Sequence, residues 1–183
     1  AAAKELHFDQ PQLSAAMNSL LRFVFLAYFI SHVPITLFID LQGNWGPQYP
    51  AMLQQVNTWY CETYGDFLMA DPPIWFRSFI MGEAFFQFPF FFVATYGLLY
   101  RKQWIRIPSI IYGSHVVTTL QPIMYTFYLA DNSDGRMNKL ALFGFYMPYL
   151  MVPLILTLYM SLNPEPFGVT GTGPRSTLHN KRK

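Results

Sequence analysis

Charge is what this chain has least of. Only 12% of its 183 residues are Asp, Glu, Lys or Arg, about half the share with which an ordinary soluble domain covers its surface. The 12 basic and 10 acidic residues leave a net charge of +2 and form no basic face, so a nucleic-acid-binding domain is excluded. One cysteine, Cys61, cannot build a disulfide scaffold. A P-loop, a dinucleotide fingerprint, a Gly-x-Ser-x-Gly elbow and a zinc-binding helix are all missing, which removes nucleotide chemistry and nucleophilic hydrolysis. The excess is apolar, with 52% hydrophobic and 19% aromatic residues, and that excludes a disordered chain.

The shortage of charge is uneven. Residues 107–130 and 140–164 are runs of 24 and 25 residues without a single charge, each long enough to cross a hydrocarbon layer of about 30 Å at ~1.5 Å per helical residue. Two further stretches tolerate isolated ionisable groups: 17–39, with Arg22 and His32, and 74–100, with Arg77 and Glu83. The expectation is an all-α membrane protein whose single domain, 19–162, holds four spans near 17–39, 74–100, 104–130 and 139–162. An N-terminal extension, 1–18, and a mobile C-terminal tail, 163–183, flank it. The frequent Phe, Leu and Pro do not alternate as barrel strands require. The first connection carries Asp40, Glu62, Asp66 and Asp71 but no Lys or Arg, whereas Arg101, Lys102 and Arg106 crowd the second and Arg175, Lys181, Arg182 and Lys183 the tail. Both termini are therefore expected on the cytoplasmic or matrix side. No removed signal peptide is indicated.

Within the first connection, Met52, Val56, Trp59, Tyr60 and Thr63 recur at helical spacing, predicting a short amphipathic helix that lies on the membrane surface or folds over the bundle as a lid.

An ionisable group inside a span costs about 2.5 kcal/mol or more, so it normally points into the bundle and finds a partner. Glu83 is such a group, with Gln87 four residues on and Pro89 beyond. Asp40, at the end of the first span, reads by itself as an interfacial stop. His32 and His115 have no Cys or carboxylate at ligand spacing, so neither is read as a metal ligand, and no cofactor is indicated. Thr119 pairs with His115, while Tyr146 and Tyr149 flank Pro148. Every span holds a proline (Pro34, Pro89, Pro108 and Pro122, Pro148 and Pro153), and such breaks are tolerated where protein or water satisfies the freed backbone. Proline-kinked helices around an internal pocket follow, lined by Phe85, Phe86, Phe88 and Phe90–Phe92 with acids at one end. Its ligand is expected to be a hydrophobic body, and a cation on that body would suit the acids.

Four stretches then carry a family resemblance: Ser31-His32-Val33-Pro34-Ile35-Thr36-Leu37-Phe38-Ile39-Asp40-Leu41-Gln42, Asp71-Pro72-Pro73-Ile74-Trp75-Phe76-Arg77-Ser78-Phe79, Glu83-Ala84-Phe85-Phe86-Gln87-Phe88-Pro89-Phe90-Phe91 and Trp104-Ile105-Arg106-Ile107-Pro108. With His115-Val116-Val117-Thr118-Thr119 and Tyr146-Met147-Pro148-Tyr149 they run in order from about residue 21 to 162 and closely resemble a receptor-like branch of the EXPERA family, which also holds the emopamil-binding sterol isomerase. The resemblance implies a four-helix EXPERA bundle in the endoplasmic reticulum membrane, often a homodimer, with a pocket entered from the bilayer. It makes Asp40 the counter-ion of a ligand amine, oriented by a hydrogen bond from Asp66. Glu83, Gln87, Thr119 and Tyr149 would form the polar part, surrounded by His32, Trp59, Tyr60 and Tyr146. Sterols, oxysterols or other lipids are the implied ligands, linked to cholesterol trafficking and a lysosomal sterol transporter. Phe67 departs from the family pattern, which has proline after the equivalent of Asp66. Asn180 stands where lysine would strengthen an endoplasmic-reticulum retrieval signal.

Two other functions stay open at this point. A sterol double-bond isomerase would use Glu83 with His32 or His115 to protonate an alkene. An accessory subunit of a larger membrane complex, for instance in the mitochondrial inner membrane, would use the bundle structurally and its termini for contacts.

Overall fold

The computed structural model describes residues 10–168, with side chains from residue 19 onward. The expectations for the basic tail, Asn180 and the extreme N-terminus lie outside the described residues. Those described are helical or irregular, without strands. Helix α1 (Gln10–Ile35) runs into a π-helical turn (Thr36–Asp40), followed by α2 (Gln42–Trp45) and a 3-10 turn (Gly46–Gln48). Then come α3 (Ala51–Tyr64), α4 (Phe67–Ala70) and α5 (Ile74–Gly82). A second π-helical turn (Glu83–Gln87) leads into α6 (Phe88–Leu99), and a short 3-10 turn (Gln103–Ile105) precedes α7 (Arg106–Leu129) and α8 (Lys139–Leu162).

Ring contacts fix how the long helices run. Phe29 meets Phe91 while Thr36 meets Glu83, Phe90 meets Tyr112 while Phe86 meets His115, and Phe25 meets Tyr159 while His32 meets Tyr149. In each pair one number rises as the other falls, so neighbours are antiparallel and the chain goes up, down, up and down. Two cations tie α7 to α8. Arg106, first residue of α7, donates from Nε to the carbonyls of Met160 (2.7 Å) and Asn163 (3.1 Å) at the end of α8. Lys139, first residue of α8, donates to the carbonyls of Tyr128 (3.0 Å) and Ala130 (2.8 Å) at the end of α7. Each cation thus satisfies the orphan carbonyls and negative dipole end of the other helix. Between these ends Gly113 lies against Thr157 and the Pro153 carbonyl of α8, where a Cβ has no room.

Among the described residues three helical stretches are long and apolar enough to cross a membrane: Ser19–Gln48, Ile74–Leu99 and Lys139–Leu162. The protein is an integral membrane protein. Helix α7 has 24 residues, as many as α8, but Ser109, Ser114, Thr118, Thr119, Gln121 and Thr126 dilute its apolar character. The first candidate span extends past residue 39, because the chain at Thr36–Asp40 widens into a π turn and continues as helix. Asp40 is therefore inside a helical run and not at its stop. The helix already includes Gln10 and the residues after it, inside the expected extension.

The prolines behave in two ways. Pro34 stands two residues before the first π turn and Pro89 two residues after the second, where the carbonyl that the missing Pro89 N–H leaves free, that of Phe85, belongs to the wider turn. Pro122, Pro148 and Pro153 lie within helices. Pro108 sits in the first turn of α7, where an N–H has no helical partner, so no break arises there.

Candidate functional site

The two π turns face each other. Along α1 and its π turn, His32, Thr36 and Asp40 recur every four residues, and in the antiparallel π turn Glu83 and Gln87 do the same. The Thr36 hydroxyl reaches Oε1 of Glu83 at 2.5 Å and Oδ2 of Asp40 at 3.3 Å. One hydroxyl has one proton, so only one carboxyl takes it fully. The carboxyls of Asp40 and Glu83 thus converge on one hydroxyl, and two adjacent carboxyls out of water need a positive charge, either a shared proton or a cation.

This cluster lies in the wall of a cavity of about 350 Å³. Around it stand Ile35, Ile39, Phe76, Phe79, Ile80, Val116, Leu120, Ile123 and Phe145, so the body of the cavity is apolar. No Lys or Arg lines it. Of the residues expected at the site, Asp40, Glu83, Gln87, Thr119, Tyr146, Tyr149, His32 and Tyr60 all line this one space. His32 is buried and held on several sides. Its Nδ1 is 2.7 Å from the Tyr28 carbonyl, which can only accept, so Nδ1 carries the hydrogen. Its ring meets those of Tyr28 at 3.8 Å and Tyr149 at 4.5 Å between centroids.

Asp66 and Trp59 do not line the cavity. Asp66 is 0% exposed and caps α4, its Oδ1 accepting from the Met69 N–H at 3.0 Å. Its Oδ2 accepts from the hydroxyls of Tyr60 (3.0 Å) and Tyr146 (2.9 Å). Its hydrogen bonds position two lining tyrosines rather than Asp40. Burial pushes the Asp66 carboxyl above its ordinary range, and these three donors offset only part of that. Phe67 in place of proline leaves the cap intact, because the cap uses Asp66 and the backbone of Met69.

Helix α3 divides its aromatic face. Tyr60 turns inward to the cavity, with burial raising its hydroxyl first and the nearby Asp66 adding to it. Met52, Val56 and Trp59 turn outward, Trp59 with 58% exposure. The helix therefore covers the cavity on one side and presents an apolar stripe on the other. Cys61, beside Tyr60, is a buried thiol pushed up to about 12, chiefly by burial, which makes it unreactive. The lid is anchored from below: Gly65 takes the left-handed φ of 71° against the backbone of Arg136 and Met137, and the Asn138 N–H donates to the Tyr64 carbonyl at 3.0 Å.

The phenylalanines expected to line the pocket are placed elsewhere. Phe85, Phe86 and Phe92 face outward, while Phe88, Phe90 and Phe91 pack between helices. Helix α5, which leads into Glu83, instead brings Phe76, Phe79 and Ile80 to the cavity, at seven, four and three residues before it. That spacing was available in the sequence, as was Thr36, four residues from both His32 and Asp40. His115 does not line the cavity. Its ring stands edge-on to Phe86 and its Nε2 is buried without a partner, so of the two histidines weighed as partners of Glu83 for an isomerase, His32 shares the cavity with it and His115 does not. Among the described residues no three His, Cys, Asp or Glu side chains are arranged to hold a metal.

Comparison with known proteins gives a consistent relationship. The family profile "EBP: EXPERA (EXPanded EBP superfamily)" matches residues 52–160. "Sigma intracellular receptor 2" of Homo sapiens is 42% identical over 149 residues, covering 75% of this chain and 85% of the relative. That of Xenopus tropicalis is 42% identical over 160 residues, covering 82% and 94%. "Efficient mitochondria targeting-associated protein 19" of Schizosaccharomyces pombe is 29% identical over 160 residues, covering 84% and 82%.

Proposed function

The chain belongs to the EXPERA family, resembling sigma intracellular receptor 2, and from that premise we propose that it binds sterols, other lipids and lipophilic amines inside the membrane and serves sterol homeostasis or trafficking. The observation that carries this reading is the pair of carboxyls, Asp40 and Glu83, bridged by the Thr36 hydroxyl in the wall of a largely apolar cavity that no Lys or Arg lines. A rigid hydrocarbon body fits the apolar part, where burial of its surface contributes roughly 25 cal/mol per Å². An ammonium supplies the positive charge that two adjacent carboxyls need, and a sterol hydroxyl can donate to one of them. Tyr28, Tyr146 and Tyr149 offer aromatic faces to the same cation.

In this reading α7 is a fourth span, the basic turn at Arg101 and Lys102 faces the cytoplasm, and the endoplasmic reticulum is the host membrane. The connection holding α3 then lies on the opposite surface.

The test uses the full chain in phosphatidylcholine nanodiscs with a radiolabelled lipophilic tertiary amine, its neutral carbon isostere, and cholesterol as competitor. Binding of the amine should weaken at least about tenfold in Asp40→Asn, and the isostere should bind at least about tenfold more weakly than the amine. Equal affinities of amine and isostere would remove the carboxyl pair from the site. Failure of cholesterol to compete would remove sterols from the ligand class.

A further inference from the structure

We propose that the turn between α6 and α7 holds the headgroup of an anionic phospholipid, with Arg101 as the residue that takes its phosphate. The second membrane-crossing stretch ends at Leu99, so Tyr100, Arg101 and Lys102 stand where hydrocarbon gives way to headgroups. Helix α6 closes there on the paired bonds of a Schellman cap. The Lys102 N–H donates to the Gly97 carbonyl at 2.8 Å and the Arg101 N–H to that of Leu98 at 3.4 Å. Such a cap turns left-handed at a position that is usually glycine. Here it is Arg101, at φ 51°, and among the described residues no other non-glycine has a positive φ. That backbone costs free energy for a residue with a Cβ, and it concentrates at ligand clamps and active sites.

Nothing inside the chain accounts for an arginine there. Arg101 and Lys102 are exposed, and among the described residues the guanidinium makes no hydrogen bond and neither cation has a carboxylate within ion-pair distance. Arg106, by contrast, is spent on the end of α8. The antiparallel register that sets Phe29 beside Phe91 brings Arg22 to this same end of the bundle. Gly168, whose carbonyl accepts from Gln103 at 2.7 Å, is followed by residues 169–183, which hold Arg175, Lys181, Arg182 and Lys183 and no acid. Glu165 is the one acid at this end among the described residues, and it pairs with none of these cations. The occupant is a lipid rather than a soluble anion because the cations are set in an aromatic girdle. Tyr96, Tyr100 and Trp104 are exposed, as are Leu99 and Ile107, and the Tyr96 and Tyr100 rings lie 4.8 Å apart. Such rings seek the boundary between acyl chain and headgroup, where a guanidinium takes a phosphate in two parallel hydrogen bonds. The uncompensated positive charge around it favours a headgroup of net negative charge.

The inference needs the second long helix to span the membrane and does not depend on what the cavity binds. Its test uses the full chain in phosphatidylcholine liposomes with a trace of spin-labelled phosphatidylserine or spin-labelled phosphatidylcholine. Electron spin resonance reads the immobilised fraction of each label at about 0.15 M salt. Phosphatidylserine should be held at least about threefold more strongly than phosphatidylcholine. Arg101→Gly should at least halve that preference while leaving the thermal midpoint as high or higher, because glycine suits the cap. Arg101→Asn, which also tolerates the left-handed region, should lower the preference in the same way. Equal retention of the two lipids, or a preference that both variants keep, overturns the proposal. A lower midpoint in both variants would give the side chain a role inside the fold and overturns it too. Loss of the preference on adding glycerophosphoserine, the water-soluble headgroup, at the concentration of the labelled lipid would make this a site for a free phosphate and likewise overturns it.

Discussion

The Tyr146 hydroxyl donates to Oδ2 of Asp66 across 2.9 Å, joining residues 80 positions apart. The same oxygen accepts from Tyr60, so one buried carboxyl clamps the α3 lid to α8 at the rim of the cavity. Without that carboxyl, two buried hydroxyls and the start of α4 would each lose a partner.

Because burial raises the Asp66 carboxyl, it holds its proton more tightly in the folded than in the unfolded chain. Its contribution to stability is complete below the unfolded value of about 3.9 and is lost as pH rises through the folded value. The thermal midpoint in nanodiscs is expected to fall as pH rises above about 4, with Asp66→Asn flattening the fall. A midpoint that climbs over the same range would show that the hydrogen bonds outweigh desolvation.

Trp59 and Tyr60 are adjacent but face opposite ways, which makes them a matched pair. Trp59→Ala should leave amine binding within about twofold, whereas Tyr60→Phe removes a bond to a buried carboxyl and should cost about 1–2 kcal/mol of stability, read as a lower thermal midpoint. Loss of binding in Trp59→Ala would mean that the lid turns over when ligand enters.

The reciprocal caps at Arg106 and Lys139 stand at opposite ends of the α7–α8 pair, so their effects should add. Arg106→Gln and Lys139→Gln are each expected to cost about 1–2 kcal/mol, since each removes charge-assisted bonds to several carbonyls. The double variant should lower the unfolding free energy in mixed micelles by the sum of the two. A marked departure from additivity would show that the pair unzips from one end.

Much of the polar lining of the cavity was legible because intramembrane polarity is rare and therefore informative. Glu83, Gln87, Thr119 and Tyr149 stood out in apolar helices, and each lines the cavity. The phenylalanines misled, because in lipid an outward aromatic is as acceptable as an inward one and composition cannot tell them apart. Trp59 misled for a related reason: one amphipathic face at helical spacing turned out to be two, split between cavity and surface.

By itself the sequence determined that this is a helical membrane protein with carboxyls where lipid would not have them. Scarcity of charge and the length of the uncharged runs suffice for that, since both follow from the cost of desolvation along a single helix. Tertiary structure decided which groups meet. Paired π turns bring Asp40 and Glu83 to one threonine, Asp66 serves two tyrosines instead of Asp40, and His115 falls outside the cavity. These depend on helix rotation and register, and a helix that is apolar nearly all round carries little in its own pattern to fix either.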